Sequence, residues 1–160
     1  MDAGFSIIAG TFKTNAKMFA KSLEGIPLER WYTRPGDDSN HMMWLTGHVV
    51  VHRAKVLTLL GQEWSAPWAS LFLRGSQLAS PGEYPAADEI LRAWDEISER
   101  LAAALESVPG EALAQPVAKG WPTLDGKVGG TIAFMSLHET YHVGQMSYLR
   151  KWLGYGQTVG

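Results

Sequence analysis

The 160-residue sequence predicts an all-α fold: an antiparallel four-helix bundle with a long connection between its second and third helices. Three observations lead there. Apolar residues recur at three- and four-residue spacing in four separate stretches, the pattern of amphipathic helices. Glycine and proline collect where that periodicity lapses. No stretch carries a convincing strand signal, and four apolar stripes bury most simply against one another.

In the first stretch, Phe5, Ile8, Phe12, Ala16, Phe19 and Leu23 form the stripe, and Gly25 and Pro27 stop it. Arg34 to Asn40 reads as a loop ending in residues suited to cap a helix. The second helix is expected from about Asn40 to Leu60, with the stripe Leu45, His48, His52, Val56 and Leu59, and Gly61 as its stop. Between Gln62 and Pro85 the pattern breaks around Pro67, Gly75, Pro81 and Gly82, leaving a long connection with a short helix near Ala69 to Leu73. The third helix runs from about Ala86 to Val108 on Ile90, Trp94, Ile97, Leu101 and Leu105. Glu111 to Gly126 is loop-like. The fourth helix runs from about Val128 to Leu153, with the stripe Met135, His138, His142, Gln145, Leu149 and Trp152, and Gly154 closes it.

Length and composition narrow the functional classes. One domain spanning residues 1–160 is the expectation for this length. The net charge is -2 and the 14 Lys and Arg are scattered, so no basic footprint for nucleic acid is present. No apolar run approaches the roughly 20 residues of a membrane span. The start Met1-Asp2-Ala3 lacks the features of a signal peptide, and a cytoplasmic location is expected. Cysteine is absent, so any transition-metal site must be built from histidine with carboxylates or water.

Four of the five histidines fall on apolar stripes. His138 and His142, four residues apart, place two imidazoles on one helix face, where both reach a single ion. His48 lies on another helix, on the face that should meet the same core. His52, one turn further, competes with it as third ligand. His41, at a helix start, is read as exposed or capping. A single histidine on an apolar stripe is more often a hydrogen-bonded core residue than a ligand. A buried pair needs several partners unless it holds an ion. Three neutral imidazoles leave a coordination position open, the arrangement of a catalytic rather than a closed structural site.

His138-Glu139-Thr140-Tyr141-His142 also fits the zincin pattern H-E-x-x-H, in which the glutamate is the general base. No His, Asp or Glu follows His142 to serve as the third zincin ligand, and the supporting strand is missing. A metalloprotease is therefore disfavoured. Glu139 stays a candidate base on bound water in another fold, against the plainer reading as a solvated helix residue.

Gly47-His48, the run Leu137 to Met146, and the following Leu149-Arg150 and Leu153-Gly154 resemble the DinB/YfiT-like superfamily. The resemblance implies a four-helix bundle, frequently homodimeric, with a divalent ion on His48, His138 and His142. It further implies a metal-dependent thiol S-transferase or a hydrolase acting on a small molecule, with a low-molecular-weight thiol as co-substrate; three imidazoles suit zinc, nickel, copper or iron, and zinc or nickel is the expected ion. Glu139, Tyr141 and Gln145 are the candidates to orient or protonate a substrate, and Trp44, Trp64 and Trp68 to wall its pocket. Two other readings compete: a non-catalytic metal- or ligand-binding module, and a bundle whose histidines are structural. Seven tryptophans, more than one core requires, add to the expectation of a homodimer.

Overall fold

The structure, a computed structural model, describes residues 3–159. It is all-helical. Four long helices, α1 (Ala3–Leu23), α2 (Met42–Leu59), α3 (Ala87–Ser107) and α5 (Val128–Trp152), form a bundle, and α4 (Gly110–Leu113) is a single turn. The described residues contain no strand, only an isolated bridge between Pro116 and Lys127. None of their helices is long and apolar enough to cross a membrane.

The helix ends follow the sequence closely, and the reason is backbone geometry. Gly61 adopts φ +75° and Gly154 φ +92°, the left-handed conformation that residues bearing a Cβ avoid. Each closes a Schellman motif. Gln62 N donates to Leu57 O at 2.9 Å, and Tyr155 N donates to Arg150 O at 3.1 Å. At the start of α2, His41 Nδ1 accepts from Trp44 N at 3.1 Å. His41 thus caps the helix, but it does so buried rather than exposed.

α3 is amphipathic as expected, burying Ile90, Trp94, Ile97, Leu101 and Leu105. α2 is not. From Met42 to Leu57 every side chain except His52 and Lys55 is buried. The helix is the centre of the molecule, packed against α5, α3 and the connection that follows it. A single-stripe reading therefore understates it. α5 also buries more than its predicted stripe, taking in Ile132, Glu139, Val143, Met146 and Arg150, whereas Trp152 is left 44% exposed. α1 lies along α5, and its Phe19 stacks on Trp94 of α3 with ring centroids 3.9 Å apart.

The connection between α2 and α3 is long, as expected, and contains 3-10 turns at Ala69–Phe72 and Pro81–Glu83. The first turn packs on α2, driving Phe72 to complete burial. That contact shapes the site described next.

Candidate metal centre

α2 and α5 cross so that His48 and His52 face His138 and His142. One ring nitrogen from each of His48, His138 and His142 lies within 4.8 Å of the others. The Nε2 atoms of His138 and His142 are 3.2 Å apart. Two imidazole nitrogens sharing a tetrahedral zinc at about 2.05 Å would sit about 3.3 Å apart. The two rings are at hydrogen-bond distance from each other, and the same spacing matches two ligands of one ion.

Local bonds aim the rings. His48 Nδ1 is 2.7 Å from the Phe72 carbonyl oxygen. A carbonyl can only accept, so Nδ1 carries the proton and Nε2 presents its lone pair. That Nε2 is buried and has no hydrogen-bond partner. His142 Nδ1 donates to Gln145 Oε1 at 2.7 Å, and Gln145 Nε2 donates to the Tyr141 hydroxyl at 3.2 Å. Such outer bonds fix the tautomer and orientation of ligating histidines. Trp44 completes the wall, stacked on His48 with centroids 4.4 Å apart, while its indole N–H bonds Ser76 of the long connection.

Gly47 makes the Phe72 contact possible. A Cβ built on Gly47 would lie 2.3 Å from the Phe72 ring. Only glycine lets that ring seat directly on α2, which carries the Phe72 carbonyl to His48. A glycine in mid-helix costs about 1 kcal/mol of intrinsic helix propensity; here it secures the bond that orients a candidate ligand.

Burial dominates the electrostatics. It pushes His48 down to about 3 and His138 down to about 4 from the ordinary 6.5. His142 is lowered by the same cause, partly offset by its bond to Gln145. These imidazoles are therefore neutral, the form that ligates. Three neutral nitrogens, one of them orphaned and buried, fit a divalent cation. They would hold it with at least one coordination position left for water or substrate.

His52 joins the cluster differently. Its ring lies 4.2 Å from that of His48 and 4.4 Å from that of His138, against 5.3 Å between His48 and His138. By ring position His52 is the nearer to His138. Ligation runs through nitrogens, however, and the convergent set is His48, His138 and His142. His52 packs against that set, with both ring nitrogens buried and unpartnered.

Glu139 points elsewhere. Arg53 Nε reaches its Oε2 at 2.8 Å and Arg53 Nη2 its Oε1 at 2.5 Å. Both side chains are almost completely buried. Arg53 also bonds Ser98 Oγ at 2.8 Å and Phe12 O at 3.0 Å, and lies 3.9 Å over the Trp94 ring. This corrects both sequence readings of Glu139: it is not a solvated residue, and its carboxylate is committed to a guanidinium rather than free to act as a base. The physical cause is helical rotation. One residue past His138 is about 100° around the axis, on a different face of α5. Among the other candidates, Gln145 touches His142, and Tyr141 stands largely exposed beside it, ring centroids 5.0 Å apart. Trp68 packs on Phe72, whereas Trp64 lines a separate recess with Thr58, Glu63 and Ser65.

Phe72 and the Arg53–Glu139 pair escaped the sequence reading. Gly47 was the available signal for the first, since glycine inside an apolar helix marks a close approach. For the second the signal was Arg53, set in α2 between the apolar run Val49-Val50-Val51 and Ala54.

Among curated proteins no relative matches the chain. A family model described as the DinB superfamily matches residues 11–146, a span that contains all three converging histidines. On that match, over well more than half its length, the chain belongs to the DinB superfamily.

Proposed function

We propose that this protein is a metal-dependent enzyme acting on a small molecule, a thiol S-transferase or a hydrolase, with a zinc or nickel ion on His48, His138 and His142. One observation carries the reading. His48 Nε2 is a buried lone pair with no partner, aimed by the Phe72 carbonyl at a pair of imidazoles already at ligand spacing. An unsatisfied buried acceptor costs stability unless something binds it.

A bound divalent ion would supply Lewis acidity, lowering the pKa of a coordinated water or low-molecular-weight thiol. The chain's own residues do the rest. The Phe72 carbonyl and Gln145 hold the proton on Nδ1 of His48 and His142, keeping their other nitrogens free. Trp44 and His52 exclude water from two sides of the cluster. Tyr141, the exposed member of the Gln145 network, is the group that can offer a hydroxyl proton to an incoming substrate. Glu139 is not assigned a catalytic role.

A homodimer is part of the proposal. Leu137, Tyr141, Tyr148 and Trp152 are exposed along α5, where their spacing of four, seven and four residues forms one apolar stripe beside the site. Light scattering at micromolar concentration should give twice the chain mass of 17.6 kDa; the mass of a single chain refutes this part.

The functional reading is tested by loading the protein with zinc or nickel and screening thiols against electrophiles and esters. Turnover that depends on the ion and disappears in His142→Ala is expected. Stoichiometric metal with no exchangeable coordination position would instead make the protein a binding module.

A further inference from the structure

Beside the histidine cluster lies a cavity of about 470 Å³, lined by His52, Lys55 and Thr58 of α2, Met135 of α5, and Lys119, Gly120, Trp121 and Pro122 of the segment before α5. Its charge is one-sided. Two lysines line it and no carboxylate does. Lys55, half-buried, makes no hydrogen bond or ion pair among the described residues, although the surface arginines Arg92 and Arg100 each hold an acidic partner. Lys55 lines the same cavity as His52, whose ring packs against His48 and His138, so the lysine borders the cluster through that shared wall. A cation half withdrawn from water with no counter-ion stands ready for an anion. Trp121, Pro122 and Met135 supply the apolar part of the lining, and Thr58 adds a neutral hydroxyl. His52 is the shared wall, since it lines the cavity and stacks on His138 at 4.4 Å.

We propose that this cavity is a substrate subsite that takes the anionic head of a small organic acid, with Lys55 as the principal counter-ion, Lys119 assisting, and the apolar body lying on Trp121 and Met135. The inference rests on the reading of the adjacent histidines as the reactive centre. It deepens that reading by naming a substrate class: molecules bearing a carboxylate or phosphate next to the bond that reacts. The one-sided lining also gives specificity, because a neutral isostere leaves Lys55 without a partner. His52, whose ring separates the two compartments, then acts as a spacer that sets the distance between the anchored head and the reacting atom.

Calorimetry with simple probes tests this without relying on turnover. Benzoate and phenyl phosphate are titrated into metal-free and zinc-loaded protein, with benzamide as the neutral control. At least one anion should saturate in both forms, and benzamide should bind at least about tenfold more weakly, the range expected for loss of a charge-assisted bond. Lys55→Met should weaken the anion by a similar factor while leaving zinc stoichiometry and melting unchanged. Lys119→Gln should weaken it less, and serves as the second variant should Lys55→Met fail to melt cooperatively. Binding of neither anion overturns the subsite. So does binding that appears only with zinc and ignores Lys55, which would place the anion on the ion and leave the metal reading intact. Anion binding that depends on Lys55 in a protein that takes up no metal would keep the subsite and end the metal reading.

Discussion

Two buried polar assemblies sit side by side between α2 and α5, and they differ in one respect. In the Arg53–Glu139 assembly, both carboxylate oxygens and every guanidinium nitrogen have partners, from α1, α3 and α5. In the histidine assembly one residue earlier on each helix, His48 Nε2, both nitrogens of His52, and His138 Nδ1 have none. Burial is similar in kind; satisfaction is not. A saturated network holds helices together and leaves nothing for a ligand. An unsatisfied one is tolerated where something else supplies the missing bonds. Adjacent residues in the sequence, His52 and Arg53 or His138 and Glu139, thus fall into opposite roles because they point to different helix faces.

The largest expected effect breaks the saturated side. Arg53→Met strands a buried carboxylate and should cost about 3–5 kcal/mol. Adding Glu139→Met should recover much of that loss, since a buried ion pair is often matched by apolar residues of similar volume. Urea unfolding of the two single variants and the double variant measures the coupling. Independent, additive losses would mean that the pair is not the unit described.

Gly47→Ala works at the join between the long connection and the site. The new methyl meets the Phe72 ring, and overpacking of this kind costs about 1–3 kcal/mol. The gain in helix propensity offsets only part of it. Zinc affinity should fall as well, because Phe72 must move and its carbonyl with it. A variant that is more stable and binds zinc normally would show that the close approach does not orient His48.

Gln145→Ala removes the acceptor that orients His142, together with the bond to the exposed Tyr141 hydroxyl. Loss of such an outer partner typically weakens metal binding by about 10–100-fold. Competition with a chelator of known affinity reads this directly, and unchanged affinity would reduce the Gln145 bond to a surface contact.

The smallest effect concerns pH. Burial lowers His41 to about 4 from the ordinary 6.5 while its Nδ1 caps α2. The unfolded chain therefore takes up its proton first, and the stability contributed by neutral His41 is complete above about 6.5 and lost as pH falls through about 4. In metal-free protein, His41→Asn keeps a cap without the titration and should make the fall in melting temperature between those values shallower. An unaltered slope would remove His41 from the account.

Much of this arrangement is legible in the sequence. Four helices, their glycine stops and the long connection follow from local periodicity and turn chemistry, which act over a few residues. The pairing of His138 with His142 follows from helical spacing alone. What does not follow is long-range. Choosing His48 over His52 depends on a carbonyl 24 residues away, and placing Glu139 depends on Arg53, 86 residues away. The central position of α2 depends on what surrounds it, so a stripe read from one helix understates its burial. Trp152 likewise belongs to the apolar stripe read from the sequence and is nonetheless 44% exposed, which its own hydrophobicity does not foretell.

The starved histidines are expected to hold an ion. Elemental analysis after equilibration with zinc at neutral pH and removal of unbound metal tests it directly. The expected result is one zinc per chain, with a rise in melting temperature that follows zinc concentration, and with both lost in His142→Ala. Wild-type protein that retains no zinc or nickel, or a His142→Ala variant that retains as much as wild type, would contradict it.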